Sequence, residues 1–221
     1  SSNETTNFRI ELNDSDRKLY LENSCEEISY VGNDNDGVII SPVFNEISLE
    51  TFLKIKKSSN FVFLDPQGFL RDKNTNNEIF LKTAELNLKN ISAIKTNPDE
   101  LHALTGLSFT DGMKQLQKSG IENVIFTNKQ DISLLVKDKI YSIKLPKMTL
   151  TDTTGIGDIF SATFTCTMLK EKDFLWALSF AGGAAQAALE SKAFGLEKVP
   201  GKNALESNGS YFYNILEFKQ I

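Results

Sequence analysis

After an opening pattern of another kind, short apolar runs alternate with amphipathic stretches along most of the chain. Residues 8–12 (FRIEL) and 18–21 (KLYL) alternate apolar and polar positions around the turn-forming Asn13-Asp14-Ser15-Asp16, which predicts a two-sided β-hairpin. From Gly37 the runs are brief and nearly continuous, at 38–40, 61–64, 91–94 and 124–126, as strands buried on both faces require. Helical spacing fills the intervals at 49–57, 78–88, 98–104 and 109–118. This alternation predicts an α/β fold, a predominantly parallel sheet flanked by helices. Residues 132–136 and 139–143, on either side of Lys137-Asp138, predict a hairpin attached to that sheet. Two strongly apolar helices follow at 158–170 and 173–190, then a last one at 211–218.

Size and composition narrow the function. A chain of 221 residues with 40% hydrophobic content can build one substantial core. Its net charge of -5 and the absence of any Lys/Arg block argue against nucleic acid as a partner. No run of about 18 apolar residues suits a bilayer, so no membrane partner is expected. The polar Ser1-Ser2-Asn3-Glu4 lacks the apolar centre of a secretion signal. Cys25 and Cys166 are far apart and form no CxxC pair, which suits a reducing compartment; a cytoplasmic location is expected. The single histidine, His102, excludes multi-histidine metal sites and leaves oxygen ligands for any metal.

The chemistry concentrates in Thr151-Asp152-Thr153-Thr154-Gly155-Ile156-Gly157-Asp158, just ahead of a predicted helix. Unpaired amides and the positive end of the helix dipole favour an anion there, and glycines let a phosphate approach bare backbone. An aspartate in that mouth repels phosphate but is well placed as a base toward a hydroxyl, which makes Asp158 the candidate base. The plainer alternative is that Thr154 or Asp158 merely caps the helix. Lys95-Thr96-Asn97-Pro98-Asp99-Glu100 is a near-ideal helix start, with Asn97 as N-cap, Pro98 at N1 and Glu100 at N3. Asp65-Pro66-Gln67-Gly68-Phe69-Leu70-Arg71 follows a buried strand, where either a Pro/Gly turn or a ligand contact fits.

The string TDTTGIGD, followed by the small-residue helix segment Ala181-Gly182-Gly183-Ala184-Ala185, resembles the D-T-x-G-A-G-D signature of the ribokinase, or phosphofructokinase-B, family of carbohydrate kinases. The resemblance implies a Rossmann-like, ribokinase-like α/β fold with a small β-lid near the N-terminus: residues 1–36 as part of the lid and 37–221 as the α/β domain. It implies an ATP-dependent kinase acting on a hydroxyl of a sugar, nucleoside or cyclitol, with Gly155, Ile156 and Gly157 as anion hole and Asp158 as base. Ile156 replaces the usual alanine, a conservative change because that position contributes its N–H. Asp152 and Thr154 would shape the nucleotide side of the loop. Asn97 and Glu100 match the family's N-x-x-E motif, which helps organise Mg²⁺, water and the donor phosphates; a monovalent cation is a further candidate.

Val124-Ile125-Phe126-Thr127-Asn128-Lys129-Gln130 matches the family's T-x-G-x-x-G only at Thr127; Lys129 and Ile132 stand at the two glycine positions. By resemblance Thr127 would face the nucleotide, Lys129 would direct charge to phosphate, and the loop containing Gly195 would lie near adenine. D-x-Q-G-F-x-R strings occur in archaeal-like and inositol-kinase-like branches, which makes Arg71 a candidate substrate or phosphate contact. Family members normally begin with a strand, a substrate-binding aspartate and a Gly-Gly motif not seen here, so an N-terminal part is expected to be missing. The lid hairpin can pair between protomers, which makes a homodimer the expected assembly. Two other classes remain: a non-catalytic phosphate-binding module or inactive fragment, and a dinucleotide oxidoreductase, poorer because GxGxxG is absent.

Overall fold

The computed structural model describes residues 5–13, 16–32, 35–147, 153–191 and 193–221. Two strands, β1 (Asn7–Asn13) and β2 (Asp16–Asn23), pair antiparallel as a hairpin of their own. The main body then runs β3 (Asn35–Ile40), α1 (Leu49–Ile55), β4 (Ser59–Leu64), the short α2 (Gln67–Leu70), β5 (Arg71–Lys73), β6 (Ile79–Leu81), β7 (Ala93–Thr96), α3 (Pro98–Thr105), α4 (Phe109–Lys118) and β8 (Asn123–Asn128). It continues with β9 (Asp131–Val136), β10 (Lys139–Lys144), α5 (Ile156–Glu171), α6 (Phe174–Glu190), a 3-10 turn at Gly195–Lys198, α7 (Lys202–Ile215) and β11 (Glu217–Gln220).

Seven strands form one sheet in the order β11-β10-β9-β8-β7-β4-β3. Strands β3, β4, β7 and β8 are parallel and β10 shares their direction, while β9 and β11 run against them. The pleat sorts side chains between two cores. On β4, Val62 and Leu64 face the side covered by α1, α3 and α4, with Phe52, Leu101 and Met113, while Phe63 faces α5 and α6, with Phe164 and Leu178. Burying such a phenylalanine is worth roughly 1.5–3 kcal/mol, so both faces contribute strongly. The glycines of α6 have a packing reason: a side-chain carbon on Gly183 would stand 2.6 Å from the Gly209 nitrogen of α7. Bare backbone on both helices is what lets them cross so closely.

Three expectations need correction. The segment 78–88 is not a helix: Ile79–Leu81 is strand β6, paired with β5 across a turn in which Asn74 Oδ1 accepts from the Asn76 and Glu78 amides. The turn and the cross-strand partner override the helical spacing. The last helix starts and ends earlier than 211–218, at Lys202–Ile215, and Phe218 lies in β11 against the Tyr141 ring of β10, whose outer edge this strand pairs. Pro66 to Leu70 forms a single helical turn rather than a simple Pro/Gly turn. Among the described residues no helix is long and apolar enough to cross a membrane.

Candidate active site

Strands β3, β4 and β7 all end at one edge of the sheet, where α5 begins and the β1–β2 hairpin folds over as a cover. Between them lies a cavity of about 740 Å³. The cover supplies apolar groups, Phe8, Ile10 and Leu19, and the floor supplies polar ones. A second groove, about 660 Å³ between α5, α6 and α7, is lined by Trp176, Phe180 and Leu205 and lies away from the Gly155–Asp158 loop. The polar cavity is the one that meets the Gly155–Asp158 segment.

Gly155 is the N-cap of α5 and sits in the left-handed region at φ 80, ψ -6, a conformation glycine adopts without a Cβ penalty. The N-cap is Gly155 itself rather than Thr154 or Asp158, and among the described residues no side-chain cap hydrogen bond closes this helix start. The Ile156 amide reaches the Thr153 carbonyl at a long 3.4 Å, and the start of the helix faces the cavity. The Ile156 side chain packs against the core cluster that includes Phe160, and Ile156 is not among the residues lining the cavity. Asp158 is exposed, and Ser41 Oγ, at the end of β3, donates to its Oδ1 at 3.4 Å.

The other helix start on this edge is sealed. Asn97 Oδ1 accepts from the Glu100 amide and Glu100 Oε2 from the Asn97 amide, each at 2.9 Å, with Pro98 at N1. Glu100 is 2% exposed and also accepts from Gln67 Nε2 at 3.4 Å. Burial first, then the Asp65 charge, pushes its pKa above the ordinary 4.5, against the pull of Lys95 and the Asn97 amide.

Beside Glu100, Lys95 Nζ pairs with Asp65 Oδ2 at 2.6 Å, both side chains almost fully enclosed. Burial opposes the Lys95 charge, but Asp65, Glu100 and, more weakly, Asp158 together outweigh it and hold its pKa above 10.5. Lys95 Nζ would stand 3.4 Å from a side-chain carbon built on Gly157, so this ammonium flanks the Gly155–Asp158 loop. On the loop's other side Lys198, 3% exposed, donates to the Thr154 carbonyl at 3.1 Å and so ties the 3-10 turn to the loop.

Of the residues singled out from sequence, the cavity gathers Arg71, Asn97, Glu100, Thr154, Gly155, Gly157 and Asp158. Arg71 is engaged there: Nη1 donates to the Val43 carbonyl at 2.9 Å and its guanidinium lies 5.2 Å from the centre of the Phe8 ring in the cover. Thr127, whose hydroxyl donates to the Thr96 carbonyl, is not among the lining residues; nor are Lys129, in the β8–β9 turn at φ 55, and Gly195, in the 3-10 turn. Asp152 lies outside the described residues. Sequence reasoning passed over Lys95, Ser41 and Lys198, and named Asp65 without a partner. One signal was available: a lysine inside the otherwise uncharged run of strand β7, every residue of which is buried.

No group of three or more His, Cys, Asp or Glu able to hold a metal is found among the described residues. Both carboxylate oxygens of Glu100 and the Asn97 side-chain oxygen already accept hydrogen bonds. This donor set fits Mg²⁺ only in its usual manner at phosphotransfer sites, where the ion keeps several waters and rides on donor phosphates.

Residues 2–198 match the sequence profile described as pfkB family carbohydrate kinase, and the chain belongs to that family. Kinases of this family are phosphotransferases with alcohol acceptors. A ribokinase from Arabidopsis thaliana is 25% identical over 169 residues, 72% of this chain and 42% of its own, so the chain spans under half of that curated relative. Among solved structures, a pyrophosphate-dependent myo-inositol-1 kinase converted by mutation into a myo-inositol-3 kinase superposes with TM-score 0.78 at 20% identity, covering 96% of this chain and 75% of its own. The Arabidopsis thaliana ribokinase complexed with ribose and ATP gives 0.68 at 19% identity, covering 89% and 66%. At these identities the structural likeness establishes the ribokinase-like fold.

Proposed function

We propose that this is a kinase that moves the terminal phosphoryl group of ATP to a hydroxyl of a sugar, nucleoside or cyclitol. The observation that carries this reading is an uncapped helix start at Gly155–Gly157 opening into the same covered cavity as the Asp158 carboxylate. Asp158 takes the acceptor's hydroxyl proton as its oxygen attacks the γ-phosphorus. The bond to the β-phosphate oxygen breaks and ADP leaves, while the Gly155–Gly157 amides take up charge on the transferring group. Asn97 and Glu100 would hold Mg²⁺ through water, and the ion when bound would neutralise charge on the donor phosphates. The segment 1–36 serves as part of the lid, and pairing of lids between protomers is checked by the mass of the particle in light scattering. The function is tested by a phosphorylation screen over sugars, nucleosides and inositols with wild type and Asp158→Asn. Turnover by Asp158→Asn equal to wild type removes the base assignment.

Pyrophosphate as donor is the second reading. Thr127, Lys129 and Gly195 lie off the cavity, and Phe194 and Leu196 in the stretch assigned to adenine are 74% and 90% exposed. Three compared structures with TM-scores of 0.75 to 0.78 are described as pyrophosphate-dependent kinases. Running the same screen with ATP and with pyrophosphate separates the two donors.

A further inference from the structure

A buried ion pair is poor evidence for stability, because two desolvated charges cost nearly as much as their attraction returns. The Lys95–Asp65 pair therefore asks for another reason. It stands in β7, where Ala93 and Ile94 are fully buried, and by the two-residue period Lys95 follows Ala93 toward the α5 side of the sheet. That direction brings its ammonium into the cavity beside Gly157.

Charge balance sharpens the point. The described lining includes four acids, Asp65, Asp99, Glu100 and Asp158, and two cations, Lys95 and Arg71. Arg71 is committed to the Val43 carbonyl and the Phe8 ring at the cover. Lys95 is the cation at the end where the helix amides open. Without it, a polyphosphate entering this cavity would meet an acidic floor.

We infer that Lys95 is a donor-phosphate contact, held beside the Gly155–Gly157 amides by Asp65 and adding a full positive charge to that anion hole. Lysine suits the task as a compact point charge with three donors, of which Asp65 occupies one. Because the contact is to phosphate alone, it serves a nucleoside triphosphate and inorganic pyrophosphate alike. The inference rests on the phosphoryl-transfer reading above.

The test uses calorimetric titration with Mg²⁺–ATP and with Mg²⁺–pyrophosphate, a readout that needs no turnover. Four proteins are compared: wild type, Lys95→Met, Lys95→Arg, and the double variant Lys95→Met/Asp65→Asn, which removes the carboxylate that Lys95 Nζ pairs with directly. Expected is a loss of affinity of about 10- to 100-fold for both probes in Lys95→Met and in the double variant. Lys95→Arg recovers part of it, because the charge is kept. Wild-type affinity in the double variant overturns the inference and leaves the function standing. A wild-type protein that binds neither probe overturns both. Should the methionine variants fail to fold, Lys95→Arg decides: unchanged affinity for both probes and unchanged turnover overturn a geometric phosphate contact.

Discussion

Two helices begin on the same edge of the sheet and solve the same problem in opposite ways. The start of α3 is closed by its own residues, with Asn97 and Glu100 exchanging hydrogen bonds and Pro98 removing a donor. The start of α5 opens on a glycine in a left-handed conformation with no side-chain cap. Free amides at a helix start are a deficit when nothing meets them and a binding site when an anion does. On the proposed function the sealed terminus would meet the donor only through Mg²⁺ and its water, while the open one would take a phosphate directly.

Substitutions at the two termini should therefore be read by different instruments. The largest effect is expected from Asp158→Asn, a fall in kcat of about 100- to 10,000-fold in a coupled assay of product release, with the melting temperature unchanged. A smaller change of opposite signs is expected from Gly157→Ala. Its helical position gains about 0.5–1 kcal/mol from the loss of glycine's chain entropy. The new methyl, 3.4 Å from Lys95 Nζ, blocks close approach of phosphate and weakens donor affinity in calorimetry. Asn97→Ala should lose about 1 kcal/mol in urea unfolding through its missing cap. If Gly157→Ala left donor affinity intact while Asn97→Ala abolished it, the division between open and sealed terminus would be wrong.

The smallest effect is one of pH. The native pKa of Lys95 lies above its unfolded value, so its pairing stabilises fully below about pH 10.5 and is lost as the pH rises through the native pKa. Melting temperature plotted against pH should fall more steeply for wild type than for Lys95→Met/Asp65→Asn above that point. Parallel curves would show that the pair contributes no such linkage.

What could be read from sequence followed from how local its cause is. The Asn97–Glu100 cap and the glycine-led start at Gly155 obey rules that span a few residues; α5 begins at Ile156, two residues before the expected 158, while the cap stands where the pattern put it. The alternating strands and helices did likewise, since β4, β7 and β8 are apolar on both faces. The Lys95–Asp65 pair had no such signature: it exists because β4 and β7 lie side by side, bringing together residues thirty positions apart. Segment 78–88 misled for the same reason. Its apolar spacing suits a helix, yet Ile79–Leu81 takes its shape from β5.

The cover is stitched at its far side: the Leu21 amide donates to the Asn77 carbonyl at 2.9 Å, and Tyr20 bridges Glu78 in the β5–β6 hairpin. That hairpin starts at Arg71, directly after the four-residue α2, which itself follows Asp65 by one residue. Floor and cover are thus joined by one short lever, with Asp65 and Gln67 at one end and Arg71 at the other. Any displacement of the cover would be transmitted along the stretch of chain that carries Asp65, the partner of Lys95.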